Sequence, residues 1–193
     1  MRAPARREQL VDVTAQLAVE QGFHAVSVEA IAQRAGVTRA VIYQHFPDLQ
    51  ALLETVVDRE MSSAQAQVVH TTPTDLGSGP AKELLLQNLA AFLTAVRKHP
   101  MTWRLVLMPP EGAPAMLRER IAQGRGAVLG QLTRAVRLGL RVEAPGDAEL
   151  TARLLSAIAD EYARLVLTDP DRYPPDRLLQ HAGRWLDQAA FGL

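Results

Sequence analysis

The sequence has no cysteine in its 193 residues and no long apolar run. Without cysteine, disulfides, thiol catalysis and cysteine-ligated zinc are excluded, which suits a reducing cytoplasm. No apolar stretch approaches the ~18–20 residues of a membrane-spanning helix. The first ten residues, MRAPARREQL, lack the apolar core of a signal peptide. These absences predict a cytoplasmic protein with no membrane partner.

The chain also lacks an excess of charge of either sign. Its formal net charge is zero, so the whole chain is not a generic binder of polyanions. The charge is nevertheless uneven, because residues 97–141 hold nine Arg or Lys and two Glu, whereas residues 143–193 hold five Arg and nine acids. Complementary faces of neighbouring helices explain this division, and a basic lining for an acidic ligand is the alternative.

Recognisable catalytic and metal-binding patterns are missing as well. The five histidines show no metal-ligand spacing, and no His-Glu-x-x-His sequence occurs. Gly124, Gly126 and Gly130 lie inside a helical pattern without the spacing or the preceding strand of a phosphate-binding loop, so close helix packing is the interpretation. We therefore predict no metal, no cofactor and no enzymatic activity.

Helical periodicity dominates the sequence, and strand and hairpin signals are absent. An all-α fold of about nine helices is predicted, with an N-terminal domain over residues 5–65 and a C-terminal helical bundle over residues 66–193. The Pro- and Gly-rich stretch Thr71–Pro80 is the linker candidate. The predicted helices cover residues 10–21, 27–35, 38–45, 48–70, 81–98, 101–108, 113–141, 148–168 and 175–190.

The segment SVEAIAQRAGVTRAVIYQHF, from Ser27 to Phe46, predicts two short helices joined by a tight turn. Ser27 and Thr38 each stand where a helix begins, and a hydroxyl there can accept a hydrogen bond from a free N–H group. Gly36 follows the first helix, where a left-handed backbone is usual. Two helices on such a turn form a helix-turn-helix, here over about residues 28–47, which places its second helix in the major groove of DNA.

The first ~60 residues resemble the TetR family of bacterial transcriptional regulators. The resemblance rests on IAQRAGVTRAVIYQHF, in which an Ile-Ala pair, an Ala-Gly-Val turn, a hydroxyl cap and the Tyr43 and Phe46 pair occur together. The sequence departs from the family at two positions. Family members often have Gly where this chain has Ala40, and they usually have a Lys that contacts phosphate where this chain has Leu49. Free N–H groups behind Asp48 offer another phosphate site.

The resemblance implies that the second helix enters the groove end-on. Arg39 is expected to read guanine and Gln44 adenine, and Ala40 to lie against a thymine methyl group. The remaining residues are expected to position the protein on phosphates, with a core position for Tyr43 and a solvated one for His45 as alternatives. The predicted DNA-binding residues are Ser27, Val28, Thr38, Arg39, Ala40, Tyr43, Gln44 and His45.

One helix-turn-helix reads too few bases for useful specificity. A two-fold homodimer would place two of them on a (pseudo)palindromic operator with half-sites roughly 34–36 Å apart, or on a somewhat wider span. Apolar residues at helical spacing in the last two helices predict the dimer surface, and burial within one subunit is the alternative. These residues are Leu154, Ile158, Leu165, Leu178, Ala182, Trp185 and Ala189.

The middle helices are expected to bind a small molecule whose identity the sequence does not give. A ligand that favours the DNA-incompetent state would tilt the fourth helix and release the operator. The predicted pocket residues, for which plain core is the alternative, are Met61, Phe92, His99, Trp103, Leu107, Met108, Leu129, Glu161 and Tyr162.

The predicted function is therefore a sequence-specific transcriptional regulator, a repressor released from its operator by a ligand. The alternatives are a protein-interaction or carrier protein that has lost operator binding, and a helical-bundle enzyme with a helix-turn-helix-like start.

Overall fold

The computed structural model describes residues 3–139 and 145–188, and all regular elements in these ranges are helices. The predicted all-α class with nine α-helices is confirmed, and a short 3-10 turn at Phe23–Ala25 joins the first two. The predicted ends of the seventh and ninth helices, near residues 141 and 190, lie outside the described residues. The helices are α1 Ala3–Gln21, α2 Val28–Ala35, α3 Arg39–Tyr43, α4 Leu49–Thr71, α5 Ala81–Lys98, α6 Pro100–Leu107, α7 Ala115–Gly139, α8 Pro145–Thr168 and α9 Pro175–Gln188.

Local capping signals fix the ends of the early helices. Ser27 Oγ accepts a hydrogen bond from the Ala30 N–H at 3.1 Å, which satisfies one orphan donor at the start of α2. Gly36 ends α2 with φ 65°, a left-handed conformation that costs glycine little. Asp48 Oδ1 caps α4 by accepting from the Ala51 N–H at 2.8 Å. The caps at Ser27 and Gly36 stand where the sequence predicts them.

The recognition helix α3 differs from its prediction in two respects. It is shorter than the predicted residues 38–45, because the N–H groups of His45 and Phe46 both bond to the Ile42 carbonyl as the chain turns away. Thr38 precedes α3 in an extended conformation, but its hydroxyl makes no capping hydrogen bond. The Thr38 hydroxyl is therefore not used by the helix itself.

The first compact unit combines the chain up to residue 64 with residues 101–121. The linear domain division predicted at residue 65 therefore misses α6 and the start of α7. The physical reason is that Leu105 and Leu117, both buried, fill the same apolar core as α1 to α4. The largest fully buried side chains of this unit are Leu10, Val11, Ile31, Ile42, Leu52, Val56, Val57, Leu105 and Leu117.

The second unit combines residues 65–100 with the chain beyond residue 122. In it α5 packs against both α8 and α9. The predicted linker Thr71–Pro80 is a loop tied to this unit, since Leu76 is fully buried and the Thr72 carbonyl accepts from Gln131 Nε2 at 2.9 Å. It is therefore not a free linker.

The middle of α7 contradicts the packing predicted for its glycines. Residues 122–127 are exposed on every side. A Cβ atom built at Gly124, Gly126 or Gly130 would meet no atom within 4 Å, so these glycines do not permit a close helix contact. The arginines nearby pair with acids, as Arg125 does with Asp160 at 2.6 Å, which favours the interpretation of complementary helix faces. No helix among the described residues is long and apolar enough to cross a membrane.

Candidate nucleic-acid interface

Apolar packing holds α2 and α3 as one rigid frame. Ile31, Ala35 and Ile42 are buried in the core of the first unit, and the turn between the helices is closed by the Val37 N–H, which donates to the Ala32 carbonyl at 3.0 Å. Buried side chains occupy one side of each helix, so the other side faces solvent. The helix-turn-helix therefore presents α3 outward from a fixed base.

The outer face of α3 gathers most of the residues predicted to contact DNA. Arg39, Ala40, Tyr43 and Gln44 are all exposed, and their spacing of one and four residues places them on one face of the helix. Tyr43 is 53% exposed, so the alternative of a core tyrosine is wrong. Thr38 is also exposed, at the start of this face. Together these side chains form a surface that can enter a groove.

Two other predicted contact residues are less exposed. Val28 is only 8% exposed and belongs to the core, so its side chain cannot touch DNA. As the first residue of α2 it still carries a backbone N–H that has no intrahelical acceptor, and such a group can bind phosphate. Ser27 and His45 are half-buried, and a contact of either side chain with phosphate stays a prediction.

An ion pair that the sequence does not reveal joins the two helices. Arg39 Nη1 donates to Glu29 Oε1 at 2.7 Å, and both side chains are 66% exposed. The hydrogen bond from Arg39 is the main reason that the pKa of Glu29 lies below its ordinary value. The proposed base-reading guanidinium is therefore oriented by a carboxylate on α2. Ten residues separate the partners, so only the fold brings them together.

The start of α4 shows what replaces the phosphate-binding lysine of the family. Leu49 is half-buried against the apolar core of the first unit. The carboxylate of Asp48 accepts from the N–H of Ala51, which is one of the four N–H groups at a helix start that lack an intrahelical partner. A phosphate site at the remaining N–H groups of this helix end stays a prediction.

A buried polar network connects α6 to α4 and α1 within the first unit. Glu60 is only 5% exposed, and its two carboxylate oxygens accept from Thr102 Oγ1 and from Arg59 Nη2. Arg59 Nη1 also donates to Asp12 at 2.6 Å. Burial lowers the pKa of Arg59, but the hydrogen bonds to Asp12 and Glu60 outweigh it, and the net shift is upward. A buried charge is tolerated only when it is paired in this way.

The loop between α6 and α7 makes a second connection to the DNA-binding module. The Phe23 N–H donates to the Glu111 carbonyl at 2.9 Å. Gly112 has φ 74°, and a Cβ atom there would lie 3.2 Å from the backbone nitrogen of His24. This close approach docks the loop on the turn between α1 and α2.

The predicted pocket residues are divided between the two compact units. Met61, Trp103, Leu107 and Met108 belong to the first, and Trp103 and Leu107 are buried there. The second unit holds the others, which are Phe92, His99, Leu129, Glu161 and Tyr162.

Within the second unit, two predicted pocket residues have a defined polar partner, and one of them is Glu161, which accepts from Arg164 Nη1 at 3.2 Å. The Tyr162 hydroxyl lies 2.6 Å from His181 Nδ1, and burial raises the pKa of Tyr162. No group of three metal-ligating side chains occurs in the described ranges. The pocket itself stays a prediction.

The predicted dimer residues fall into exposed and buried sets. Leu154 is 63% exposed on α8, and the neighbouring Leu150 is 60% exposed. By contrast, Leu178 and Ala182 are buried within their own unit, where α9 packs against α5, so they leave almost no surface for a partner. Ile158, Leu165 and Trp185 are half-buried, and Ala189 lies outside the described residues.

Comparison with known proteins shows what the N-terminal module is similar to. The family model for bacterial regulatory proteins of the tetR family matches residues 10–56. The HTH-type transcriptional activator FasR of Mycolicibacterium smegmatis is 30% identical over 104 residues, which are 52% of this chain and 45% of FasR. The match thus spans a little under half the length of that curated relative.

Solved structures agree along nearly the whole chain. A TetR-like regulator from Rhodococcus sp. RHA1 is 22% identical with a TM-score of 0.70 and covers 98% of both chains. FadR from Bacillus subtilis, in complex with stearoyl-CoA, is 19% identical with a TM-score of 0.65, covering 93% of this chain and 96% of FadR. Such low identity establishes the fold alone. The family match at residues 10–56 adds that the N-terminal module is similar to the tetR family of bacterial regulatory proteins.

Proposed function

We propose that this protein is a sequence-specific DNA-binding transcriptional regulator, a repressor that a small molecule releases from its operator. The observation that carries the proposal is the exposed face of α3, with Arg39, Tyr43 and Gln44, on the rigid frame of a tetR-type module. An operator as partner would place the protein in the bacterial cytoplasm.

The exposed residues have chemically distinct roles in this proposal. Arg39 presents paired donors that match the O6 and N7 acceptors of guanine, and Gln44 can bind the N6 and N7 edge of adenine. Ala40 is small enough to lie against a thymine methyl group. Tyr43, Thr38, Ser27, His45 and the Val28 backbone N–H would position the module on phosphates.

Specific binding further requires two modules on one operator. We propose a homodimer formed through α8 and α9, in which the exposed Leu150 and Leu154 are central. Two-fold symmetry would match a (pseudo)palindromic operator. The buried Leu178 and Ala182 are left out of this surface.

Ligand control would act through α6. The network of Thr102, Glu60, Arg59 and Asp12 links α6 to α4 and α1 inside the first unit, so a displacement of α6 would reach the module that carries α3. A ligand changes DNA affinity only if it binds the two conformations differently.

The ligand is proposed only as a small molecule. FadR from Bacillus subtilis was solved with stearoyl-CoA, and a regulator from Saccharomonospora viridis, 22% identical with a TM-score of 0.67, with choline. This spread shows that the fold does not fix the ligand. Repression is likewise specific to our proposal, since FasR is a transcriptional activator. A reporter behind the operator should be silenced by the protein, and higher expression would instead establish activation.

The central experiment selects duplexes from a random pool with the purified protein. We expect a two-fold symmetric sequence to be enriched. Arg39→Ala should lower affinity for it by about 1–3 kcal/mol and relax one base in each half-site, because a two-pronged contact is lost.

Tyr43→Phe serves as the matched comparison, because it removes only a hydroxyl from the same exposed face. Affinity should fall about equally for operator and random DNA, as for a phosphate contact. Equal losses on both DNAs for both variants would refute the division of roles. If the wild-type protein enriches no sequence, operator binding itself is refuted, and a role as a protein-interaction or carrier protein is favoured instead.

A further inference from the structure

The guanidinium of Arg39 is held at one end only. Glu29 Oε1 accepts from Nη1 at 2.7 Å, and no other hydrogen bond of Arg39 occurs among the described residues. The opposite edge, formed by Nε and Nη2, is thereby left with its donors unused. That edge carries two parallel N–H groups, which is the arrangement that binds guanine through O6 and N7.

An exposed arginine ordinarily loses rotamer freedom when it binds a base. Fixing such a side chain costs rotamer entropy, and a partner that orients it beforehand reduces the loss. Glu29 is suited to this task because it lies in the first turn of α2, on a helix anchored by the Ser27 cap and by buried Ile31. The carboxylate is itself stabilised at a helix N-terminus.

The carboxylate of Glu29 also affects binding to DNA that lacks the base read by Arg39. Glu29 is exposed beside α3 and stays ionised at neutral pH, since Arg39 holds its pKa below the ordinary value. A negative charge next to phosphates opposes binding to any sequence. Pairing also withholds part of the Arg39 charge from phosphates. Both effects weaken binding to random DNA more than they weaken the contact between Arg39 and its base.

We infer that Glu29 is a positioning residue for specificity, which holds Arg39 through Nη1 so that its Nε–Nη2 edge reads guanine. The inference rests on the proposed function, because it assigns a role within the same DNA-binding face. Glu29 itself makes no contact with the base. Its contribution is a higher ratio of operator binding to random binding.

The test measures base preference and random-duplex affinity for Glu29→Ala. Preference for the base assigned to Arg39 should fall by about five- to tenfold, a substantial part of the discrimination of one bidentate contact. Affinity for a random duplex should rise at low salt. Glu29→Gln keeps an acceptor oxygen and removes the charge, so it should restore most of the base preference but keep the raised random affinity.

The matched control is Glu20→Ala, which removes the carboxylate of another ion pair of this unit, the pair with Arg34. Base preference should not change in this variant. In an Arg39→Ala background, Glu29→Ala should add nothing further to the loss of preference. Thermal unfolding of each variant shows whether the module remains folded.

Three results would overturn the inference. If Glu29→Ala leaves base preference unchanged while Arg39→Ala removes it, Glu29 does not position Arg39, although the proposed function stands. If Glu29→Ala sharpens the preference, the carboxylate competes with DNA for Arg39. If the wild-type protein selects no sequence, the proposed function fails and this role fails with it.

Discussion

Glu60 illustrates, at the scale of single residues, how this fold carries a buried acid. One oxygen accepts from Thr102 and the other from Arg59, so neither lone-pair set is left without a donor. Among the described residues no buried side-chain nitrogen or oxygen lacks a partner. The stability of the first unit therefore depends on keeping this network complete.

We predict that Thr102→Val destabilises the protein by about 1–3 kcal/mol, because the substitution keeps the shape but removes the donor to a buried carboxylate. Chemical denaturation measured by circular dichroism should report the loss. Thr94→Val is the control, since Thr94 is exposed and bonds only to its own helix, and it should change stability by less than about 0.5 kcal/mol. Equal effects in the two variants would show that the hydroxyl of Thr102 does not stabilise Glu60.

Residue roles could be predicted from the sequence where the cause is local. The Ser27 cap and the left-handed Gly36 follow from residue types a few positions apart. The pairs of Glu29 with Arg39 and of Glu60 with Thr102 could not be predicted, because their partners are 10 and 42 residues apart. The cap predicted at Thr38 is absent although Thr38 is extended as Ser27 is, and the Val41 N–H, which could donate to the hydroxyl, donates to the Thr38 carbonyl at 3.1 Å.

At the scale of elements, α7 has an unusual stretch of helix. Its three central glycines are exposed and face open space, and glycine in a helix interior costs about 0.5–1 kcal/mol relative to alanine. None of the three has the positive φ that would require glycine. The local stability of this stretch is therefore below what alanine would give.

We predict that Gly126→Ala raises the free energy of unfolding by about 0.5–1 kcal/mol, since the new methyl group meets no atom and the unfolded chain loses freedom. Gly139→Ala is the opposing control on the same helix. A Cβ atom there would clash with the Leu76 backbone, so this variant should be less stable than wild type. A destabilised Gly126→Ala would mean that residue 126 touches something that the single chain does not contain.

The positions of several helices could be predicted closely from apolar periodicity and from residues that break helices. α2, α4 and α5 begin and end within about a residue of their predicted bounds, because Ser27, Asp48 and His99-Pro100 mark them. The packing partners of each helix could not be predicted from these patterns. The glycines of α7 and the Leu76 loop were both misinterpreted, since a helical or turn pattern does not specify its tertiary neighbours.

At the scale of the whole molecule, the chain order does not match the compact units. Residues 65–100 belong to the second unit, and residues 101–121 belong again to the first. Leu105 and Leu117 from this later segment lie in the core of the first unit. The DNA-binding module therefore includes a segment from the middle of the chain. In the proposed mechanism this segment is the means by which a change near α6 could alter operator affinity.

The proposed dimer leads to the last prediction. Leu150 and Leu154 are one helical turn apart on α8 and both largely exposed, and a protein rarely leaves adjacent leucines in water unless they bind something. We predict that Leu154→Glu converts the dimer to a monomer in analytical ultracentrifugation, because a charge would have to be buried at the interface. Since Leu154 makes little contact within its own chain, thermal unfolding of the monomer should change little.

Val69→Glu is the matched control, because Val69 is a similarly exposed apolar residue on α4. It adds the same charge and should leave the dimer intact. The monomeric Leu154→Glu protein should also bind a full operator no better than a single half-site, because the gain from two linked modules is lost. A Leu154→Glu protein that remains dimeric with unchanged operator affinity would place the interface elsewhere. A monomer that still binds the full operator tightly would show that dimerisation is not needed for recognition.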